Sequence, residues 1–113
     1  MNIHSCFENE IQIVAASGRI DSENAMEFEA KVRAAIEETA AGVVLDLADT
    51  QYMASAGLRA ILLVAKELET RKVQFALCSV SKEVLNVLKI AGFLRLMDAI
   101  PTREEAVARL AQA

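Results

Sequence analysis

The sequence predicts an α/β fold, with a mixed and mostly parallel sheet of four to five strands, an N-terminal hairpin and about four helices. Short apolar stretches of strand length alternate with segments whose apolar residues recur at helical spacing. Three polar residues between the first two apolar stretches suit a tight hairpin turn. Strands that alternate with helices form largely parallel sheets with right-handed crossovers, so the later strands are expected to be parallel.

The first half of the chain supplies three predicted strands and one helix. Residues 3–7 and 11–16 are the hairpin strands. A helix capped by Asp21 or by the serine after it is expected to continue to Glu38, with apolar residues at helical spacing. Residues 43–47 form an almost wholly apolar stretch, which is typical of a central strand covered on both faces.

The second half supplies three predicted helices and two strands. The loop over residues 48–57 follows a central strand, and sites in parallel sheets lie at the carboxyl ends of strands. Ser81 is expected to cap a short helix and Gly92 to end it. The predicted elements are a helix over residues 55–70, a strand over 73–78, a helix over 82–91, an edge strand over 96–100 and a helix over 101–110.

Composition narrows the class of protein. The length of 113 residues fits a single domain over residues 1–113, and an apolar content of 54% allows a sizeable core. The longest apolar run, residues 60–65, is far shorter than the roughly 20 residues of a membrane helix. Because no signal-peptide pattern is present, we expect a cytoplasmic protein. A net charge of −4 without a basic stripe argues against nucleic acid and membrane surfaces, and we expect a monomer.

The sequence offers no catalytic residue, cofactor site or metal site. A nucleophilic serine needs a base, and His4 is the only histidine of the chain. Met53 stands where a hydrolase elbow around Ser55 would need its first glycine. No phosphate-binding loop or dinucleotide motif is present. Cys6 and Cys78 are too few for a metal site or a disulfide framework, and we expect two small buried thiols.

Ser55 lies in the most informative stretch, residues 43–59. The pattern of strand, turn and helix places its hydroxyl at the positive end of a helix, either as an N-cap or as an acceptor of a phosphate. Ala56 and Gly57 are expected to leave the backbone open to close approach. Since glycine inside a helix costs about 1 kcal/mol relative to alanine, steric access is the expected reason for Gly57.

Helical geometry indicates which residues share the outward face of this helix. At about 100° per residue, Ala56, Arg59 and Leu63 lie opposite the buried stripe. Leu63 is therefore either an ordinary exposed leucine or an anchor for a partner. Asp46 lies in an apolar strand, so we expect its carboxylate to bond backbone N–H groups of the following loop.

Three stretches resemble the STAS domain of anti-sigma factor antagonists, also called anti-anti-sigma factors. These are residues 44–59, residues 18–21, which resemble the turn before the first helix of that family, and residues 87–93, which resemble the end of its third helix. The resemblance covers nearly the whole chain. It implies a single STAS domain with the SpoIIAA-like fold and no catalytic activity of its own.

The resemblance also implies a regulatory mechanism. An anti-sigma factor serine kinase phosphorylates the serine two residues before the glycine, which is Ser55 in this chain. The unphosphorylated form binds that kinase and releases its sigma factor, and a serine phosphatase resets the switch. Best-known members carry Asp-Ser-Ser/Thr-Gly, whereas Ala54 and Ala56 flank Ser55. Together with the helical geometry, the expected partner-binding residues are Asp21, Ala54, Ala56, Gly57, Arg59 and Leu63.

Two alternatives stay open at this point. Stand-alone domains of this family also resemble non-switching adaptor subunits of transporters and signalling assemblies, in which the same surface serves constitutive assembly. Direct binding of a nucleotide is a further option.

Overall fold

A five-stranded mixed sheet forms the centre of the molecule, with strand order β1-β2-β3-β4-β5. The computed structural model describes residues 1–95 and 97–111. Strands β1 and β2 pair antiparallel, and the other neighbours pair parallel, which confirms the predicted fold class and hairpin. The elements are β1 (Asn2–Glu8), β2 (Ile11–Ile20), α1 (Ala25–Ala35), β3 (Gly42–Met53), α2 (Ser55–Thr70), β4 (Gln74–Cys78), α3 (Lys82–Ile90), a 3-10 turn (Phe93–Arg95), β5 (Asp98–Ile100) and α4 (Arg103–Ala111).

The hairpin between β1 and β2 closes through a two-residue turn. Asn9 and Glu10 both have positive φ, at 52° and 67°. This is the conformation of a type I′ turn, whose twist matches that of the flanking strands. The predicted turn is therefore confirmed.

Helices cover both faces of the sheet. Val43 and Leu45 of β3 belong to the cluster that β2 and β3 form with α1, α2 and α3, whereas Val44 belongs to the cluster beneath α4. The central strand is thus buried on both sides, as predicted. The α4 cluster consists of Ile11, Ile13, Val44, Ala76, Cys78, Ile100, Ala106, Val107 and Leu110.

Strands β2 and β3 are longer than predicted. They continue to Ile20 and Met53, so most of the expected loop over residues 48–57 is strand, and so are residues 18–20 of the expected turn. The pairing continues because the register shifts twice, between Ala15 and Ser17 and between Gly18 and Arg19. Such irregularities add twist while they keep two strands together. Consequently a long two-stranded ribbon leads to Ser55.

Helix α1 ends at Ala35, three residues earlier than predicted. The buried Gln12 side chain of β2 donates a hydrogen bond to the Ala35 carbonyl and accepts one from the Glu37 N–H at 2.8 Å. Ile36 has extended backbone angles, so the chain leaves the helix at this point. A single buried amide therefore ends the helix and anchors it to the sheet.

The later elements follow the prediction with small differences. The Ser81 hydroxyl accepts a hydrogen bond from the Val84 N–H at 3.2 Å, and Gly92 follows α3 with a φ of 77°. Strand β5 is shorter than expected, and Leu96 lies outside the described residues. Cys78 is buried, but Cys6 is exposed, so the expectation of two buried thiols is wrong for Cys6. Within the described ranges, no helix has the length and apolarity to cross a membrane.

Candidate functional site

Ser55 is the first residue of α2, and its side chain is exposed. The preceding Ala54 donates its N–H to the Ile20 carbonyl at 2.9 Å, which joins the start of the helix to the end of β2. Ala54 is the N-cap and cannot form a side-chain cap. The interpretation of Ser55 as an N-cap is therefore wrong, and its hydroxyl forms no hydrogen bond with residues 1–95 or 97–111.

The first turn of α2 has positive character. Gly57 and Leu58 both donate their N–H groups to the Ala54 carbonyl, at 2.9 and 3.2 Å. Within residues 1–95 and 97–111, the N–H groups of Ser55 and Ala56 have no acceptor, and the turn contains no acidic side chain. The helix dipole adds to the positive potential at this end, so an anion on Ser55 is compatible with the folded state.

Gly57 is buried, which contradicts the expectation that it leaves the backbone open to a partner. A Cβ at this position would lie 2.8 Å from Cγ of Met53 and 2.9 Å from Cγ2 of Ile20. Real Cβ atoms essentially never approach other atoms this closely. The glycine is therefore needed for packing between α2 and the ends of β2 and β3.

Asp21 organises the turn that leads into α1. Its Oδ1 accepts hydrogen bonds from the N–H groups of Glu23 and Asn24, at 3.0 and 3.2 Å, and Asn24 Oδ1 accepts from the Asp21 N–H at 2.9 Å. The helix N-cap is Asn24, so neither Asp21 nor Ser22 is the cap that the sequence predicted. Asp21 follows Ile20, whose carbonyl binds Ala54, and this places it beside the start of α2.

The ends of β2 and β3 contribute two residues that sequence reasoning missed. Arg19 and Tyr52 are cross-strand partners, and the Arg19 guanidinium lies 4.1 Å from the centroid of the half-exposed Tyr52 ring. Arg19 Nε is also 3.8 Å from Asp21 Oδ2. This cation–π contact depends on the strand register, which the sequence alone does not reveal.

A groove between α1 and α2 lies beside Ser55, and we call it the α1–α2 groove. It contains three outward residues that the sequence predicted, Arg59, Leu63 and the half-buried Ala56. Met26 stands at the groove with 86% of its surface exposed. The groove measures about 270 Å³, which suits a side chain or two of a protein partner. Its lining consists of Ser22, Ala25, Met26, Glu29, Ala56, Arg59, Ala60 and Leu63.

A second groove lies on the other side of the α2 start, between the end of β3 and α3. Tyr52 and Val87 flank it and are both half-exposed. Met53 and Leu58 connect this groove with the first turn of α2. Ser55 thus lies at a helix start that two grooves flank.

Asp46 forms an ion pair that crosses from the sheet to α4. Its Oδ1 accepts from the Ala48 N–H at 2.9 Å, as expected, although Ala48 belongs to β3 and not to a loop. Arg103 Nε donates to Oδ2 at 2.8 Å, and this hydrogen bond raises the pKa of the guanidinium. Burial raises the pKa of the nearby Cys78 thiol to about 12, so this thiol stays protonated.

Ser55 and His4, the only histidine of the chain, lie on different elements. His4 lies on β1, at the edge of the sheet, and β2 separates that strand from β3. In the part of the chain that the structure describes, no group of three His, Cys, Asp or Glu side chains could hold a metal ion. The geometry offers an exposed hydroxyl at a helix start, bordered by two grooves.

The comparisons with known proteins agree with this architecture. The STAS domain family model matches residues 5–106. BtrV of Bordetella bronchiseptica, named as an anti-sigma factor antagonist, is 38% identical over 96 residues, which span 85% of this chain and 83% of that protein. The chain therefore belongs to the STAS domain family, and it is related to anti-sigma factor antagonists.

Solved structures show the same fold. A Thermotoga maritima protein named as an anti-sigma factor antagonist superimposes with a TM-score of 0.86 at 22% identity, over 96% of this chain and 93% of that chain. The phosphorylated form of the Bacillus cell fate determinant SpoIIAA gives a TM-score of 0.72 at 22% identity, over 96% and 99% of the two chains. These likenesses confirm the SpoIIAA-like fold.

Proposed function

We propose that this protein is an anti-sigma factor antagonist that works as a phosphorylation-controlled partner switch. The unphosphorylated form binds an anti-sigma factor serine kinase, which then releases its sigma factor. Phosphorylation of Ser55 abolishes that binding, and a serine phosphatase restores it. The chain itself catalyses no step. The observation that best supports this proposal is the exposed Ser55 hydroxyl at the start of α2, which forms no hydrogen bond with the part of the chain that the structure describes.

The transfer step needs no group from this chain other than the hydroxyl. The Ser55 oxygen forms a bond to the γ-phosphorus of ATP, the bond from that phosphorus to the bridging oxygen breaks, and ADP leaves. The hydroxyl proton passes to a base of the kinase. Resetting is hydrolysis, in which water attacks phosphorus and the serine oxygen leaves with a proton. Because the donor is ATP, the proposal places the protein in the cytoplasm.

A phosphate at this position is sufficient to break an interface. It adds nearly two negative charges to a surface whose grooves are mostly apolar. Covering such a charge without compensating groups costs several kcal/mol. A loss of about 4 kcal/mol weakens binding roughly a thousandfold. The fold itself is not expected to change, since the helix start tolerates an anion.

The first experiment tests the modification. The purified chain is incubated with ATP and each purified anti-sigma factor kinase that its genome encodes, and phosphate is located by mass spectrometry. Ser81 is the internal control, since it is an exposed serine at the start of α3. We expect phosphate on Ser55 and none on Ser81. Absence of phosphate on Ser55 with every kinase would refute the switch.

The second experiment tests the consequence of the modification. Calorimetric titration of the kinase is expected to give similar affinities for the wild type and Ser55→Ala, and a much weaker one for Ser55→Glu. Equal binding of all three forms would favour a constitutive adaptor subunit. NMR spectra of the modified and unmodified forms should differ near the start of α2, and large backbone shifts elsewhere would contradict a change confined to the surface.

The proposal also includes the residues that contact the kinase, the domain organisation and the oligomeric state. The surface residues proposed to contact the kinase are Ala54, Ala56, Arg59 and Leu63, with Asp21 at the margin. Gly57 supports this surface through its packing. The single domain over residues 1–113 and the monomeric state are predictions, and sedimentation equilibrium of the purified chain tests the latter.

A further inference from the structure

Arg59 gives the α1–α2 groove a positive charge that has no partner within residues 1–95 and 97–111. It takes part in none of the ion pairs formed there. Glu29, the carboxylate of the same groove, is already 2.9 Å from Arg33. The groove therefore combines apolar walls with one available guanidinium, and a complementary occupant must carry a negative charge.

Arg59 also lies on the same face of α2 as Ser55, four residues further along. Residues at this spacing have Cβ atoms about 5–6 Å apart. Helical side chains lean towards the N-terminus of their helix, so we expect the Arg59 side chain to reach the turn that begins at Ser55. A phosphate on the serine would be within reach of the guanidinium.

We infer that Arg59 exchanges between two anions. In the unmodified protein it binds a carboxylate of the partner, and in the modified protein it binds the phosphate on Ser55. The partner segment that fits the groove has one apolar side chain, placed between Met26 and Leu63, and an Asp or Glu beside it. The inference rests on the proposed function, because it assigns the contact that phosphorylation withdraws.

The phosphate on Ser55 binds Arg59 more strongly than the partner carboxylate does, for two reasons. A carboxylate carries one negative charge, whereas the phosphate carries nearly two, and both pair with guanidinium in a bidentate manner. The carboxylate also arrives on a second molecule, while the phosphate is attached to the same helix and acts at a high effective concentration. Phosphorylation therefore adds a charge to the surface and removes the cation that the partner needs.

The phosphate contact can be tested without any partner. Phosphoserine is introduced at position 55 during translation, and the second ionisation of the phosphate is followed by ³¹P NMR as a function of pH. We expect the pKa of the phosphate to be about 0.3 lower in the otherwise wild-type protein than in Arg59→Gln, as for an exposed ion pair one helical turn apart. High salt should reduce the difference.

Arg71 provides the matched control, since it is an exposed arginine at the other end of α2. Arg71→Gln should leave the phosphate pKa unchanged, because more than a Debye length separates it from residue 55. A phosphate pKa that is the same with and without Arg59 would overturn the inference.

The partner contact is tested with the kinase that phosphorylates the chain. Arg59→Gln should weaken binding of the unmodified protein about fivefold, and it should reduce the further loss caused by phosphoserine. Wild-type affinity of Arg59→Gln would also overturn the inference. If no kinase binds the chain, the proposed function fails, whereas the phosphate titration still decides whether Arg59 pairs with the modified serine.

Discussion

Replacing Arg103 with methionine should destabilise the fold by about 2 kcal/mol. The Asp46 side chain is only 7% exposed, and Arg103 Nε at 2.8 Å is its ion-pair partner. Removing one partner of a buried pair typically costs about 3–5 kcal/mol, because the other charge stays buried. Arg103 itself is 37% exposed, so water screens the pair and can reach part of the vacated space, which reduces the estimate.

A double-mutant cycle isolates the contribution of the charge. In Asp46→Asn, the amide oxygen can still accept from the Ala48 N–H, so this variant removes the charge and keeps the backbone contact. We expect the double variant, with Arg103→Met, to be about 1 kcal/mol more stable than Arg103→Met alone, and the coupling energy to exceed about 1 kcal/mol. Urea unfolding at pH 7, followed by circular dichroism, measures all four free energies.

Arg109 serves as the control for this cycle. It is an exposed arginine of the same helix, and it forms no ion pair with the rest of the described chain. Arg109→Met should change the free energy of unfolding by less than about 0.5 kcal/mol. If the effects of Asp46→Asn and Arg103→Met simply add, the pair does not stabilise α4 on the sheet and the reasoning is refuted.

Three further predictions concern a thiol, a glycine and a leucine. Because the pKa of Cys78 is raised from 9.0 to about 12, the folded state keeps a proton that the unfolded state loses. The contribution of the Cys78 thiol to the free energy of unfolding is complete below pH 9. It falls as the pH rises towards 12, by at most about 1.4 kcal/mol per pH unit. Urea unfolding at a series of pH values should show that Cys78→Ala flattens this slope and Cys6→Ser does not. Gly57→Ala should lower the free energy of unfolding by about 1 kcal/mol through overpacking, and a higher melting temperature would contradict this. Leu63→Asp should weaken kinase binding at least tenfold with little change in melting temperature, whereas Ile90→Asp, at a residue 88% exposed outside both grooves, should bind normally. A large loss of stability would place Leu63 in the core.

The sequence predicted the element order and the start of α2 because these depend on local patterns. Hydrophobic periodicity, turn residues and helix caps are each determined by residues that are close together in the sequence. Element ends were predicted less well, since distant contacts decide them. Gln12 ends α1 from 23 residues away, and two register shifts carry β3 on to Met53. Neither event has a signature in the segment that it changes.

In the candidate site, too, the features that depend on local sequence were predicted, and those that depend on distant contacts were not. The exposure of Ser55 followed from its place at the start of a helix, whereas the role of Gly57 did not. Its contacts with Met53 and Ile20 appear only when β2 and β3 are extended to the helix start. The pair between Asp46 and Arg103 joins residues 57 positions apart, so the sequence shows an isolated aspartate in a strand and no partner for it.

The long β2–β3 ribbon has a consequence for recognition kinetics. Strand β4 pairs with β3 only as far as Asp46, while β2 accompanies β3 to Met53. The serine is thus held in place before any partner arrives, and its recognition includes no loop ordering. Association should follow one exponential phase whose observed rate rises linearly with kinase concentration. Because the β2–β3 ribbon does not bend, a kinase or a phosphatase must bring its own catalytic groups to Ser55.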